Sequence, residues 1–502
     1  MVRLVEFDAH VEALTRFVED TPREEIIGAT VDRLRGGADP LDLVRAAALG
    51  VSRSSELPSD HHGGPIHPIA GIHAVVGLTK RLEGESANLP ALQCIALANK
   101  HVNLPSMGPA AMVAFDNLKR DVETGKVLTR LEKAMLDREP RLAERAVTLC
   151  CEKATPGQIL NSLLTTSLRR NNLDDHYFLY PLYAMRALDA IGWEWAPIIL
   201  RPVVRYLSRH HSFDAFGEFN ADTIRDGITY FNRFTEHEAM VADYNLTEER
   251  VPQASGPHEA DAIAALADEV GAVTTISALP EIVARAMNTG LSLEGTCEAL
   301  SVGGARFFLR SHSSNPFDVH VHTGIAARRY LIGFPEVDFR KKVLALIGWA
   351  WSYEIRYLDA TLTKDWENVG DVSDAPAAQA ILDEIESRIL GIDGYDFNNL
   401  PTVINELVEP DEVRNVVALA ETYMKAGHPA DDLFALTARL VCREDVSEMH
   451  AYKLQQAAYE EYHACAEDLR WVHAVSAVKQ VAVVVSMTPH RVFPQIAETL
   501  AA

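Results

Sequence analysis

The residues best suited to chemistry in this chain are its histidines, which gather just ahead of four helix-like segments rich in small residues. Aligning those segments on their small residues puts His67, Tyr180, His322 and His450 in one column. A second column six residues later holds His73, Arg186, Arg328 and Gln456. Immediately before the first column stand Asp60, His61 and His62; Asp174, Asp175 and His176; Asp318 and His320; and Asp445 and Glu448. Imidazole combined with carboxylate is the ligand set of zinc and non-haem iron. The metal candidates are therefore His61, His62, His67, His176, His320, His322 and His450, with Asp60, Asp175 and Asp318 completing or orienting the set. The implied cofactor is a divalent metal, iron favoured and zinc second. His73, Arg186 and Arg328 are the catalytic candidates, the imidazole as a base and the guanidinium groups as clamps on a carboxylate or phosphate.

Helix geometry limits these choices. Pro68 and Pro181 coincide in the alignment, which places the first column near a helix N-terminus. There the helix dipole disfavours imidazolium and leaves neutral imidazole available as ligand or base. Six helical steps leave the two columns about 120° apart around the axis, so one helix cannot aim both at one ion. A site must draw its ligands from several segments. Ordinary roles compete with these readings. A histidine at a helix start also serves as a cap. Arg53, Arg170, Arg310 and Arg443 end apolar helices, where the dipole and the last carbonyls explain them. Trp349, Trp351 and Tyr353 read as core, and His210, His211, His237 and Glu238 as surface.

The elements that must position these side chains are helices. Apolar residues recur at helical spacing almost throughout, and strand-like alternation is scarce. Four segments share one plan: an apolar helix ending in arginine, a polar loop, a helix with many small residues, and a third apolar helix. Asp39-Pro40 and Thr155-Pro156 are helix starts with proline at the first position. The fold expected is all-α, four diverged helical repeat units packed as one solenoid-like or closed helical body. The divisions are an N-terminal helical cap (1–38), repeat 1 (39–138), repeat 2 (139–215), an insertion (216–272), repeat 3 (273–360), a connector (361–405) and repeat 4 (406–502).

Composition narrows the function classes. The formal charge is −24, with 71 acidic residues against 47 Lys and Arg, which argues against a nucleic-acid phosphate backbone or an anionic membrane as partner. The longest late apolar run, 481–487, is too short to span a bilayer. The first residues lack a signal-peptide apolar core, so a cytoplasmic location is expected. The six cysteines form no C-x-x-C pair, which leaves zinc ribbons and Rieske clusters without support. Phosphate-binding glycine loops, dinucleotide fingerprints, H-E-x-x-H and G-x-S-x-G are all absent.

The stretches DDHYFLYPLYAMRALDAIGWEWAPIILRP, HVHTGIAARRYL and MHAYKLQQAAYEEYHA resemble a family of α-helical repeat proteins, some longer members of which carry a Rieske domain. More remotely, they resemble the questin-oxidase-like proteins. The resemblance implies histidines at His176, His320 and His450, with Glu460 as an acidic companion, and redox chemistry on an organic substrate. The glycine-rich DHHGGPIHP loop departs from the pattern, which leaves the choice among His61, His62 and His67 open. The resulting expectation is a metal-dependent oxidoreductase acting on a small organic, anionic or neutral, substrate, with a redox partner and self-association both compatible. A cofactor-free oxygenase using histidine bases and a non-catalytic binding scaffold are the alternatives.

Overall fold

The computed structural model describes residues 3–58, 63–171, 175–209, 224–225, 228–229, 234–274, 278–317, 319–349 and 376–501. Apart from a two-residue antiparallel pair, Ile224–Arg225 with Ile228–Thr229, the elements described are helical. The chain opens with α1 (Ala9–Asp20) and α2 (Ile26–Arg35), then α3 (Pro40–Ser54), α4 (Ile66–Thr79) and α5 (Leu89–Asn103). There follow α6 (Thr124–Leu136), α7 (Pro140–Lys153), α8 (Pro156–Arg170), α9 (His176–Ile191) and α10 (Ala196–Ser208). Next come α11 (Phe234–Asp243), α12 (Ala260–Gly271), α13 (Leu279–Asn288), α14 (Leu293–Arg310), α15 (His320–Ile332) and α16 (Phe339–Ile347). The chain finishes with α17 (Ala378–Gly391), α18 (Asp411–Lys425), α19 (Ala430–Val441), α20 (His450–Ala464), α21 (Trp471–Ser486) and α22 (Val492–Ala501).

Local chemistry explains many of the helix starts. Asp39 accepts from the Leu41 amide ahead of Pro40, and Thr155 with Gln158 forms a capping box ahead of Pro156. Ser292 caps α14 through the Gly295 amide. Three of the helices that carry the candidate histidines begin differently. The chain enters α4 through Gly64 (φ 65°), α9 through Asp175 (φ 59°) and α20 through Glu448 and Met449 (φ 48° and 72°). A left-handed conformation costs an ordinary residue about 1–2 kcal/mol, so tertiary contacts must hold these turns.

The helices α4, α9, α15 and α20 form the interior. Each packs against the next, and α20 returns to pack against α4. Around them, α3 and α5 flank α4, α8 and α10 flank α9, α14 and α16 flank α15, and α19 and α21 flank α20. The last helix, α22, lies against α2 and α5 near the start of the chain. Small residues set the spacing: a β-carbon on Gly71 of α4 would sit 3.0 Å from Cβ of Met449, where α20 begins.

Several expected roles change in this setting. Arg328 is not a substrate clamp. Its guanidinium pairs with Asp175 at 2.9 Å, donates to the Ala345 and Gly324 carbonyls, and lies over the Phe178 ring, with both charged side chains 1% exposed. Asp175 is correspondingly an ion-pair partner, and it also accepts from Asn171. His237 is buried rather than on the surface, because α11 packs against α16 and sets its ring beside Gly348. The helix-ending arginines hold neighbouring elements as well as their own. Arg53 pairs with Glu19 and Glu12 of α1, while Arg170 donates to the carbonyls of Leu207 and Met135. Trp349 is core, as expected; Trp351, Tyr353, His210 and His211 lie outside the described residues.

A buried charge left without its partner is among the costliest single defects. Asp175→Asn keeps the size of the side chain, and asparagine tolerates the left-handed turn, so the substitution isolates the charge. It should lower unfolding stability by about 3–5 kcal/mol. Urea unfolding measures this, and a loss below about 1 kcal/mol, the range of exposed pairs, would refute the anchoring role.

Candidate metal centre

His67 is the second residue of α4, and His176, His320 and His450 are the first residues of α9, α15 and α20. Four helix N-termini therefore meet at one place. The His67 ring lies 4.5 Å from that of His450 and 5.7 Å from that of His176, centroid to centroid. The His320 ring is 5.4 Å from both His176 and His450. One ligand nitrogen from each of His67, His176 and His450 can be chosen so that all three lie within 4.8 Å of one another. All four imidazoles are buried, none more than 6% exposed.

Two of the rings have their orientation set from behind. Nδ1 of His67 lies 2.9 Å from Glu448, whose other oxygen accepts from Lys100 at 2.7 Å. A proton on that nitrogen leaves Nε2 as the acceptor, and Nε2 of His67 is buried without a hydrogen-bond partner. Nδ1 of His450 donates to the Ser447 carbonyl at 2.8 Å. Ser447 is held in turn by Glu444, through its hydroxyl at 2.7 Å and its amide at 2.9 Å. Fixing the tautomer through the second nitrogen is how proteins prepare a histidine for a metal. Room for the His67 ring comes from Gly63, where a β-carbon would fall 2.5 Å from Cε1. The Phe317 ring packs edge-on against His450 at 5.3 Å.

The electrostatics keep the His67 and His450 rings neutral. Burial drives His67 down to about 3, overriding the pull of Glu448. Burial, reinforced by the Lys453 charge, pushes His450 well below the usual imidazole value. Burial would raise Glu448, but His67 and Lys100 hold it well below the ordinary carboxylate range. Neutral imidazoles converging at helix N-termini can bind a cation through their lone pairs, and they cannot themselves carry charge there.

Of the candidates, His67, His176, His320 and His450 are brought together. His322 is not among them: two residues along α15 it faces away, packs against Phe308 at 5.2 Å and stands 6.4 Å from His473. The first column is thereby corrected. The histidines that meet are His67, His176, His320 and His450, whereas Tyr180 packs against Tyr206. Asp60, His61, His62 and Asp318 lie outside the described residues. Asp175, tied to Arg328, is not positioned as a ligand.

The second column forms a separate network further along the helices. Nε2 of His73 lies 2.5 Å from Glu460, and Arg186 contacts both. Gln456 donates to Glu460 at 2.8 Å and accepts from Arg81 at 2.7 Å. These residues sit six to ten positions beyond the clustered histidines, roughly 9–15 Å along the helix axes. His73 and Arg186 are engaged with Glu460, and Glu460 accompanies them rather than the clustered histidines. Glu448, placed ahead of the fourth segment in the sequence, orients His67, while Ser447, Glu444 and Lys100 are the supporting residues that residue types alone do not single out. The one available signal is a carboxylate two residues before His450. Compared with protein-family models, curated proteins and solved structures, the chain matches none.

The buried imidazoles make stability depend on acid. Burial lowers His67 and His322 to about 3 and His473 to about 4, against 6.5 for an exposed imidazole. Between these values the unfolded chain binds protons that the folded one does not. Their stabilisation is complete above pH 6.5 and is lost as pH falls toward 3–4, at about 1.4 kcal/mol per pH unit per histidine. Glu444, which burial raises to about 7, acts oppositely in this window and offsets one of them. Urea midpoints should therefore fall from pH 6.5 to 4.5, and His322→Leu should flatten the slope by about one proton. A profile level across that range would contradict the neutral buried state.

Proposed function

We propose that His67, His176 and His450, with His320 beside them, hold a divalent metal ion, and that the protein is a metal-dependent oxidoreductase acting on a small organic substrate. The observation that carries this reading is the approach of three buried imidazole nitrogens to within 4.8 Å from helices distant in sequence. Capping does not account for it, since a cap satisfies its own helix, whereas these rings face one another. A buried nitrogen without a partner, such as Nε2 of His67, costs about 1–3 kcal/mol, and a bound ion removes that cost.

On this reading the interior is built from four diverged units, α3–α5, α8–α10, α14–α16 and α19–α21, each contributing the histidine that opens its middle helix. The body is closed rather than solenoid-like, since α20 packs on α4. The resemblance noted in the sequence implies three of the same histidines and supports the redox assignment. Imidazole suits iron, zinc, copper and nickel alike. Iron is favoured by the expected chemistry. Zinc is the second reading, because no carboxylate among the described residues joins the rings, and three histidines with an open position are a zinc catalytic set. Neutral ligands leave the full charge of the ion uncompensated, and the helix N-termini add to it, so the centre favours an anionic oxygen from substrate or water.

Protein purified anaerobically, or reconstituted with iron(II), should hold one metal ion per chain. His67→Ala and His450→Ala should abolish binding, and Glu448→Gln should weaken it by about 10–100-fold, as loss of an orienting partner does. Absence of a stoichiometric ion under iron, zinc and cobalt loading would overturn the reading, and full occupancy by zinc with none by iron would select the second.

A further inference from the structure

Beside the clustered histidines lies a cavity of about 840 Å³. That is within the roughly 300–1,000 Å³ of small-molecule sites. Its walls come from α2, α5, α22 and the segment preceding α20. Phe317 and Glu448, which contact His450 and His67 respectively, belong to the lining, so one layer of side chains separates cavity and histidines.

The lining has a definite chemical character. Phe317, Phe397 and Met449 present an apolar inner surface, with the two phenyl rings 6.4 Å apart. The carboxylates on the inner wall are already engaged. Glu448 is held by His67 and Lys100, Asp445 accepts from the amides of Arg491 and Val492, and Glu444 accepts from Ser447. The Tyr452 hydroxyl is different. Its residue is 1% exposed, it lines the cavity, and its hydroxyl has only the weakly polar Cys442 thiol beside it, with no oxygen or nitrogen partner among the described residues. A buried donor of this kind costs stability unless a ligand takes it up. At the rim, the exposed guanidinium groups of Arg23 and Arg491 have no ion-pair partner among the described residues.

We propose that this cavity binds one planar, largely apolar organic anion. Its rings lie against Phe317, Phe397 and Met449, an oxygen accepts from the Tyr452 hydroxyl, and its anionic group faces Arg23 and Arg491. Naming that molecule the substrate rests on the metal-centre reading; the binding itself does not. At the mouth, Arg23 and Arg491 stand with one exposed carboxylate, Glu24, and the two guanidinium groups are the donors there that can take an anionic group.

Two fluorescent probes test the site on the full chain: 8-anilinonaphthalene-1-sulfonate, a planar aromatic anion, and the neutral N-phenyl-1-naphthylamine. Each should bind once per chain. The double variant Arg23→Gln/Arg491→Gln should weaken the sulfonate by about tenfold and leave the neutral dye within about twofold. Gln495→Trp, on the exposed rim of α22, should obstruct both dyes without touching the core. Equal sulfonate affinity in the double variant, or both dyes unaffected by Gln495→Trp, would overturn the proposal. The cobalt(II) absorption spectrum should be unchanged in these variants. Dye binding without any cobalt binding would refute the metal centre alone, and cobalt binding without dye binding would refute the cavity alone.

Discussion

Four helices whose N-termini face one another concentrate positive potential and unsatisfied amide groups in a small dry volume. That constraint governs the rest of the interior. The side chains that fill the space must accept hydrogen bonds or present lone pairs, and they must not themselves be protonated. Neutral imidazole meets both demands, and His67, His176, His320 and His450 occupy the space. The groups behind them complete the logic. Glu448 and the Ser447 carbonyl accept the Nδ1 protons, so lone pairs point inward, and Lys100 neutralises the one carboxylate brought close.

Holding four N-termini in register needs contacts away from the histidines. Burying ion pairs contributes little net stability, because desolvation offsets the attraction. Their geometric demands are strict, however, and three of them join interior helices or an entry turn to one. Arg328 of α15 fixes Asp175 at the entry to α9, Arg329 of α15 reaches Glu461 of α20, and Arg186 of α9 reaches Glu460 of α20 with His73 of α4. The left-handed turn at Asp175 is thereby held by a side chain far away in the chain, which local propensity alone would not achieve.

Much of this is legible in residue types. Helical periodicity, the proline-marked starts at Pro40 and Pro156, and the clustering of histidine ahead of small-residue helices all follow from sequence. Which histidines are equivalent does not. Small residues report where helices approach closely, as at Gly71 against Met449, and not where the histidines meet. Aligning on them shifts the second segment by four residues, selecting Tyr180 in place of His176, and the third by two, selecting His322 in place of His320. Pairings such as Arg328 with Asp175 are separated by 153 positions, and nothing local marks them. Arg328 and Arg186 therefore read as substrate clamps in sequence and as helix-to-helix anchors in three dimensions.

The proposed ion would complete this arrangement thermodynamically. Its ligands come from helices spanning residues 66 to 464, and they converge only when every interior helix is docked. An ion that binds the folded chain and not the unfolded one stabilises it by mass action, about 4 kcal/mol at a thousandfold excess over its dissociation constant. That gain is of the same order as the costs concentrated at the convergence: left-handed turns, desolvated imidazoles and aligned dipoles. It also explains why the supporting carboxylate, Glu448, lies on the wall of the neighbouring cavity. Glu448 thus touches His67 on one side and borders the cavity on the other, so the two proposed sites are neighbours that share one carboxylate.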